Sequence, residues 1–296
     1  MKYRILGSTE IEVSVIGLGT WQFGGEWGKD FTQNEVDKII GTAKDSGINF
    51  IDTAECYGDH LSESLIGKSI KSEREKWIVA TKFGHHYHGF MERTRHFDPV
   101  DVVRQLDLSL ESLKTDYIDI YQMHSSKNDE FQNEGIWEEL LKQKEKGKIR
   151  HIGLSISGND NIFQTSRSKE IGAETIQVVY NRLDRIPEAA VFPKCRELNL
   201  GVLARVPLAS GLLSGKYKPG HIFTGTNVRA MRSQDKINKE LNEVEIIMRD
   251  EVPQGISMAT WALAWCLKNN VVTSVIPGCK NPGQVISNAA AADLIE

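Results

Sequence analysis

The sequence predicts an α/β fold, a (β/α)8 TIM barrel with an N-terminal β-hairpin, in one domain over residues 1–296. Eight short apolar runs alternate with segments of helical periodicity, which is the pattern of such a barrel. The 296 residues also suffice, since one barrel commonly needs about 250. An open doubly wound sheet is the alternative, but Gly17-Leu18-Gly19 lacks the third glycine of the dinucleotide-binding fingerprint.

The first predicted elements are a hairpin and one β–α unit. Residues 3–6 and 11–13 flank a turn-forming loop and predict two paired strands. Residues 15–19 predict the first barrel strand, and a loop rich in glycine and tryptophan follows, of a kind that often lines a site. Thr32 and Glu35 form a capping box ahead of an apolar face with helical spacing, so a helix begins there.

The alternation of strands and helices continues along the chain. Its clearest helix start is Asp98 followed by Pro99, an N-cap residue with proline at the first helical position. Further strands are predicted at residues 48–52, 77–82, 117–123, 149–155, 175–180, 201–206 and 271–276. Further helices are predicted at residues 63–70, 133–146 and 257–269, and around 241–248 after a polar loop at 219–233.

The composition is that of a globular protein without a strong electrostatic bias. Apolar residues make up 40% and charged residues 26%, and the net charge is -4, so we expect neither a nucleic-acid nor a membrane partner. The four cysteines lack C-x-x-C spacing, which favours reduced thiols. There is no signal-peptide pattern and no apolar run of membrane-spanning length, and we expect a cytoplasmic protein.

Four residues with acid–base chemistry follow three neighbouring predicted strands. Asp52 and Tyr57 follow the second strand, Lys82 ends the third, and His124 ends the fourth. Each has a plain structural explanation when taken singly: a turn cap, a packed ring, a lysine that reaches solvent and a core histidine. In a parallel barrel, however, the carboxyl ends of the strands meet at one mouth. We therefore expect the four side chains to form one catalytic site.

The chemistry of these groups favours proton donation to a developing alkoxide. A phenol has a pKa near 10, and a neighbouring cation lowers it by stabilising the phenolate. We expect Lys82 to be that cation, Asp52 to keep the ammonium charged and in place, and His124 to direct an N–H at a substrate oxygen.

The sequence resembles the aldo/keto reductase superfamily, particularly its bacterial, stress-protein-like branch, over nearly the whole chain. The segments that carry the resemblance are residues 15–21, 49–58, 80–82, 122–124, 153–155, 207–216 and 276–288. The resemblance implies a barrel that uses NADPH to reduce a small aldehyde or ketone. It also implies that Asp52, Tyr57, Lys82 and His124 are the catalytic tetrad, with the tyrosine as general acid.

The resemblance also implies a set of cofactor-binding residues. Ser155 and Gln177 match positions that contact the nicotinamide carboxamide, and Arg205 stands where the family often has a stacking aromatic ring. The pyrophosphate loop and the adenine end comprise Leu208, Ser210, Gly211, Leu212, Ser214, Lys216, Gly278, Lys280, Gln284 and Asn288. By the same resemblance Lys280 is expected at the 2′-phosphate. Arg229, in the adjoining polar loop, is a candidate to close over the cofactor, with a solvated arginine as the alternative. The chain departs from the family pattern at Ile156, usually asparagine, and at Ser287, frequently acidic.

Other candidates are weaker. Trp21, Trp27, Tyr87 and Phe90 are predicted walls of a substrate pocket, with core packing or loop anchoring as the alternative. We expect no metal site, because the three histidines at 85, 86 and 88 lack a fourth ligand at orderly spacing. The chain ends soon after its last predicted helix, so an open, permissive pocket is expected.

Two alternative functions remain open from the sequence. The physiological reaction could run backwards, as the oxidation of a sugar or polyol with NADP+. The protein could also be a low-turnover module that binds NADPH and senses redox state, as channel-associated relatives of the family resemble. The sequence carries no signal for the physiological substrate or for the oligomeric state.

Overall fold

The computed structural model describes residues 1–295, and its centre is a sheet of eight parallel strands. A hairpin of β1 (Tyr3–Ile5) and β2 (Glu12–Ser14) precedes it. The barrel strands are β3 (Leu18–Gly19), β4 (Phe50–Asp52), β5 (Ile78–Phe83), β8 (Ile118–His124), β9 (Ile149–Ser155), β10 (Ala173–Val179), β11 (Gly201–Arg205) and β12 (Val272–Val275). A second hairpin, β6 (His85–Gly89) and β7 (Glu92–Arg95), lies between β5 and β8.

The sheet closes on itself. The segment that leads into β3 pairs with β12 through parallel bridges from Ile16 to Val275 and from Gly19 to Gly278. The backbone N–H of Gly17 donates to the carbonyl of Val275 at 2.8 Å, and Val275 N–H donates to Val15 at 3.0 Å. The predicted (β/α)8 barrel is therefore confirmed, and its first strand is held by fewer ladder hydrogen bonds than its neighbours.

Helices follow the barrel strands on the outside. They are α1 (Gln33–Asp45), α2 (Leu61–Ile70), α3 (Pro99–Leu113), α4 (Asn128–Phe131), α5 (Glu134–Glu145), α6 (Ile162–Arg167), α7 (Ile186–Ala189), α8 (Phe192–Glu197), α9 (Gln234–Asp250), α10 (Met258–Leu267) and α11 (Pro282–Ala289). The predicted capping box of α1 is present, and Asp98 accepts from the N–H groups of Val100 and Asp101 at the start of α3. No helix within residues 1–295 is long and apolar enough to cross a membrane.

The N-terminal hairpin closes the amino end of the barrel. Leu6 and Val13 are fully buried and belong to one apolar cluster with barrel residues that include Phe50 and Ile120. The Arg4 guanidinium, on β1, donates to the carbonyl of Leu267 at 3.0 Å. Because this end is filled by apolar packing, the polar groups of the barrel are left to the opposite, carboxyl end.

The main departure from the predicted elements is the second hairpin. No element is predicted between the strand that ends at residue 82 and the helix that begins at Asp98, but β6 and β7 pair there in antiparallel fashion, from His85 opposite Arg95 to Gly89 opposite Glu92. Their side chains are half-buried or exposed, and no apolar alternation marks the strands. The hairpin rises at the carboxyl end of β5 and so belongs to the rim of the barrel mouth.

Candidate active site

Three of the four predicted catalytic residues are directly hydrogen-bonded at the carboxyl end of the barrel. The Lys82 ammonium is completely buried and donates to Asp52 Oδ1 at 2.8 Å, to the Thr53 carbonyl at 2.5 Å and to the Tyr57 hydroxyl at 3.4 Å. Although burial opposes the charge, the neighbouring Asp52 and Tyr57 leave the pKa of Lys82 raised. The lysine is therefore a fixed cation beside the phenol.

Asp52 is held by two glutamine amides as well as by the lysine. Its second carboxylate oxygen accepts from Gln177 at 2.7 Å and from Gln122 at 3.2 Å, and Gln177 also donates to Gln122. Gln177 was expected at the cofactor, and the structure places its amide nitrogen on the catalytic carboxylate. Gln122 was missed as a site residue, although it stands two residues before His124 on β8, the spacing that shares one face of a strand.

Tyr57 is packed between other site residues. Its ring is stacked with Trp21 at a centroid distance of 5.9 Å and lies edge-on to His124 at 6.3 Å. Burial raises the pKa of Tyr57 to about 12, and Lys82 opposes this shift without reversing it. The expectation of a lowered phenol pKa is thus not met, because desolvation outweighs the effect of the cation. Tyr57 is a neutral phenol, the protonation state that a general acid requires.

His124 is held as a neutral imidazole. Burial is the main reason why its pKa lies well below the usual range, and Lys82 and Arg205 add to the shift. Its Nδ1 lies 3.7 Å from Cys56 Sγ and 3.9 Å from Glu55 Oε1. Burial keeps the Cys56 thiol protonated by raising its pKa, so the thiol can donate to Nδ1. This contact favours the tautomer that carries its proton on Nε2.

Asp52, Tyr57 and His124 border a cavity of about 500 Å³ at the barrel mouth, and Lys82 lies behind them. It is large enough for a cofactor or a small ligand. Its wall contains most of the predicted binding residues, namely Trp21, Trp27, Gln177, Arg205, Leu208, Ser210, Gly211, Ser214, Lys216, Gly278, Lys280, Gln284 and Asn288. The wall also contains residues that were not predicted there, including Gln22, His85, Arg93 and Tyr217.

Two predicted cofactor residues lie behind the cavity wall. Leu212 is fully buried in an apolar cluster with residues such as Phe223 and Leu241, so its side chain packs in the core. Ser155 is also buried, but its hydroxyl has no hydrogen-bond partner within residues 1–295. The Arg205 Nε is another buried donor without a partner in that part of the chain. Orphaned polar atoms of this kind fit a bound polar group such as a carboxamide.

The second hairpin corrects part of the predicted substrate pocket. Tyr87 and Phe90 lie on and beside β6, outside the cavity wall, and Phe90 is exposed. Their place is taken by Arg93 and His85 of the same hairpin, which do line the cavity. The expectation of aromatic walls from this segment is therefore wrong, because the hairpin turns a different set of side chains towards the mouth.

Cations gather at the other end of the cavity. Burial together with Arg229, Lys216 and Lys29 lowers the pKa of Lys280, whose Nζ donates to the Trp27 carbonyl at 2.7 Å. Arg229 is only 5% exposed and donates to the Tyr217 hydroxyl at 2.9 Å. Arg229 also lines the cavity wall. A cluster of this kind is suited to phosphate oxygens.

The loop after β11 brings backbone close to these cations. Ser210 and Gly211 both have positive φ, at 57° and 90°, within the 3-10 segment Ala209–Ser214. A Cβ on Gly211 would stand 3.3 Å from the Arg229 guanidinium. Positive φ at consecutive positions turns the chain sharply and brings this backbone next to Arg229.

Comparison with known proteins supports the same kind of site. The model of the aldo/keto reductase family matches residues 15–296. The NADH-specific methylglyoxal reductase of Escherichia coli (strain K12) is 31% identical, over 99% of this chain and 94% of its own. A solved aldo-keto reductase from Bacillus halodurans, in its holo form, has a TM-score of 0.83 and 29% identity, covering 99% of this chain and 91% of that one.

A second solved structure has a similar fold. The glycerol dehydrogenase from Gluconobacter oxydans has a TM-score of 0.82 and 29% identity, and the match covers 98% of this chain and 89% of that chain.

Proposed function

The chain belongs to the aldo/keto reductase family and is an oxidoreductase, and we propose that it reduces aldehydes or ketones with NADPH, with Tyr57 as general acid. One observation carries this proposal. A buried lysine links a carboxylate to a phenol at the edge of a cavity, with Lys82 Nζ 2.8 Å from Asp52 and 3.4 Å from the Tyr57 hydroxyl. That arrangement delivers a proton at one place in the cavity.

Each residue of the group has a separate task. Asp52 accepts from the Lys82 ammonium, and the two glutamine amides hold Asp52 in turn, so the position of the ammonium does not depend on solvent. The ammonium lowers the cost of negative charge on the Tyr57 oxygen as the phenol gives up its proton. A nicotinamide held in the cavity would supply the hydride for the carbonyl carbon, and Tyr57 would protonate the carbonyl oxygen.

His124 is assigned to orienting the carbonyl. Its contacts with Cys56 and Glu55 both use Nδ1, which leaves Nε2 for the cavity that the ring borders. A neutral imidazole with its proton on Nε2 donates a hydrogen bond to the carbonyl oxygen without competing with Tyr57 as an acid. Trp21, stacked with Tyr57, forms the apolar wall of the same pocket.

The preference for NADPH rests on the cations at the far end of the cavity. Lys216, Arg229 and Lys280 line the wall there, and Lys29 is close enough to influence the pKa of Lys280. A 2′-phosphate adds negative charge that these groups can bind, and NADH does not have it. The Escherichia coli relative is NADH-specific by name, so this preference has to be measured for this chain.

The direct test is cofactor oxidation with a panel of small and bulky carbonyls, including 4-nitrobenzaldehyde and methylglyoxal. We expect NADPH to be consumed in proportion to alcohol formed, with kcat/KM at least about tenfold above that with NADH, a difference of roughly 1.4 kcal/mol in transition-state binding. Absence of turnover with every carbonyl, while NADPH binds, would instead support the low-turnover binding module.

Oxidation of a polyol is the second candidate, favoured by the likeness to a glycerol dehydrogenase. The same residues serve both directions, because Tyr57 would then accept the proton that it otherwise gives. Rates with NADP+ and glycerol or sugar alcohols, compared with the rates for NADPH and aldehydes, decide between the two directions.

A further inference from the structure

Four potential metal ligands meet beside the catalytic histidine. Glu55 and Cys56 follow β4, His85 begins β6 and His124 ends β8. One ligand atom from each lies within 4.8 Å of the other three. The histidines at 86 and 88, which neighbour His85 in sequence, do not belong to this group. The run of histidines in the sequence therefore does not identify the four-residue cluster.

Two atoms of this group are buried without a hydrogen-bond partner. Glu55 is 3% exposed; its Oε1 accepts from the backbone N–H of His85 at 3.0 Å, but its Oε2 has no partner within residues 1–295. The same holds for His85 Nδ1. Arg93, the nearby cation, is engaged with Glu26 and with the Cys56 carbonyl. Unpaired buried groups are costly, and both of these belong to residues whose ligand atoms lie within 4.8 Å of one another.

We propose that Glu55, Cys56, His85 and His124 form a binding site for Zn²⁺ or a divalent ion of similar character. A metal ion can accept a lone pair from the Glu55 carboxylate and another from the His85 imidazole at the same time. A single N–H or O–H group does not satisfy both. One thiolate, two imidazoles and one carboxylate are a ligand set that suits zinc and cobalt, whereas magnesium and calcium prefer oxygen ligands.

The spacing of the ligands suits a tetrahedral ion. With a zinc–sulfur bond near 2.3 Å and zinc–nitrogen or zinc–oxygen bonds near 2.0 Å, the edges of a tetrahedron with one sulfur measure about 3.3–3.5 Å. The ligand atoms lie within 4.8 Å of one another, so binding requires the side chains to close by at most about 1.5 Å. The 3.7 Å between Cys56 Sγ and His124 Nδ1 is only about 0.2 Å longer than such an edge. Cys56, His85 and His124 line the cavity, which gives an ion a route to the site.

A metal ion bound at this site would affect the role of His124 in catalysis. This consequence rests on the proposed function. A metal on Nδ1 of His124 fixes the ring proton on Nε2, the tautomer assigned to the substrate oxygen. The proposal for the metal site itself does not depend on catalysis. Its test accordingly uses protein without cofactor or carbonyl.

The test is titration of tag-free, reduced protein with Co²⁺ alone, followed by optical absorption. We expect a thiolate-to-cobalt charge-transfer band that saturates at one equivalent and is displaced by Zn²⁺. The Cys56→Ser protein should lose the band, since the other three cysteines are buried elsewhere. The His85→Ala protein should bind at least about tenfold more weakly.

A matched control separates this site from a second cluster. His86, His96 and Asp101 also bring three ligand atoms together on the outer side of the same hairpin, but they include no thiol. The His86→Ala protein should therefore keep the full charge-transfer band. No band in the native protein, or a band that persists in Cys56→Ser, would overturn the proposal. Circular dichroism checks that both variants retain the fold. If Cys56→Ser does not fold, the affinity of His85→Ala for Co²⁺ tests the proposal instead.

Discussion

At the scale of single residues, the buried pair of Lys82 and Asp52 is the feature on which the site depends. Both side chains are almost completely withdrawn from solvent, and each of their remaining polar atoms is matched by an amide, a carbonyl or a hydroxyl. Burial of two charges is costly, and the pair persists because its partners replace the lost water. Removal of only one partner leaves the other charge uncompensated.

A double-mutant cycle measures this dependence. We expect Asp52→Asn and Lys82→Met each to lower the free energy of unfolding by about 3–5 kcal/mol, because one buried charge then stands alone. The double variant should recover much of that loss. Urea unfolding monitored by fluorescence checks it; additive losses in the double variant would show that the two groups do not act as a pair.

Arg205 provides a second prediction at this scale. Its guanidinium donates to the Ile156 carbonyl at 3.3 Å, and burial lowers its pKa, while Nε has no partner within residues 1–295. A cation at the nicotinamide repels the positively charged oxidised ring and not the neutral reduced ring. We expect weaker binding of NADP+ than of NADPH, and a smaller difference in Arg205→Trp. Equal affinities of the native protein in calorimetric titrations would contradict this placement.

At the scale of elements, one buried carboxylate connects the second hairpin to the loop after β3 that carries Trp21. Glu26 is 1% exposed and accepts from Trp21 Nε1 at 2.7 Å, from the backbone N–H of Met91 at 2.8 Å and from Arg93. Because Trp21 is stacked with Tyr57, this junction fixes one wall of the pocket.

Loss of the Glu26 charge should therefore affect substrate binding more than chemistry. We expect Glu26→Gln to raise KM for aromatic aldehydes by about tenfold, the effect of losing one charge-assisted hydrogen bond, with a smaller change in kcat. Glu92→Gln, an exposed position on the same hairpin, is the control and should behave like the native protein. An unchanged KM in Glu26→Gln would show that Trp21 is held by other contacts.

The elements differ in how well the sequence predicts them. Helices α1 and α3 have capping residues and a regular apolar face, so their starts at Thr32 and Asp98 follow from local physics. The hairpin at residues 85–95 has no such signal, because its strands are stabilised by contacts with Glu26 and Glu55 from distant segments. Local periodicity cannot report those contacts.

At the scale of the whole molecule, the barrel assembles a cavity from segments that lie far apart in the sequence. The order of the strands makes it predictable that Asp52, Lys82 and His124 meet, because adjacent parallel strands deliver their ends to one mouth. The order of the strands does not predict whether a given side chain faces the cavity or lies behind its wall. Leu212 lies behind the wall because the packing of the loop after β11, rather than strand order, decides which atoms of that loop face the cavity.

Binding of the cofactor should stabilise the whole fold, and NADPH should stabilise it more than NADH does. A ligand at 100 times its Kd adds about 2.7 kcal/mol to the stability. We expect a larger rise in Tm with NADPH than with NADH at equal concentration. Lys280→Met should remove most of that difference, and the exposed Lys268→Met should not. Equal shifts with both cofactors in the native protein would contradict the assigned role of the cation cluster.

The most direct test of the account is single-turnover oxidation of bound NADPH by 4-nitrobenzaldehyde in Tyr57→Phe, with Tyr87→Phe as the control outside the cavity. We expect Tyr57→Phe to bind NADPH normally and to lose about 10²–10⁴-fold in rate, the usual contribution of a general acid, while Tyr87→Phe keeps the native rate. A native rate in Tyr57→Phe would contradict the assignment of Tyr57 as the proton donor.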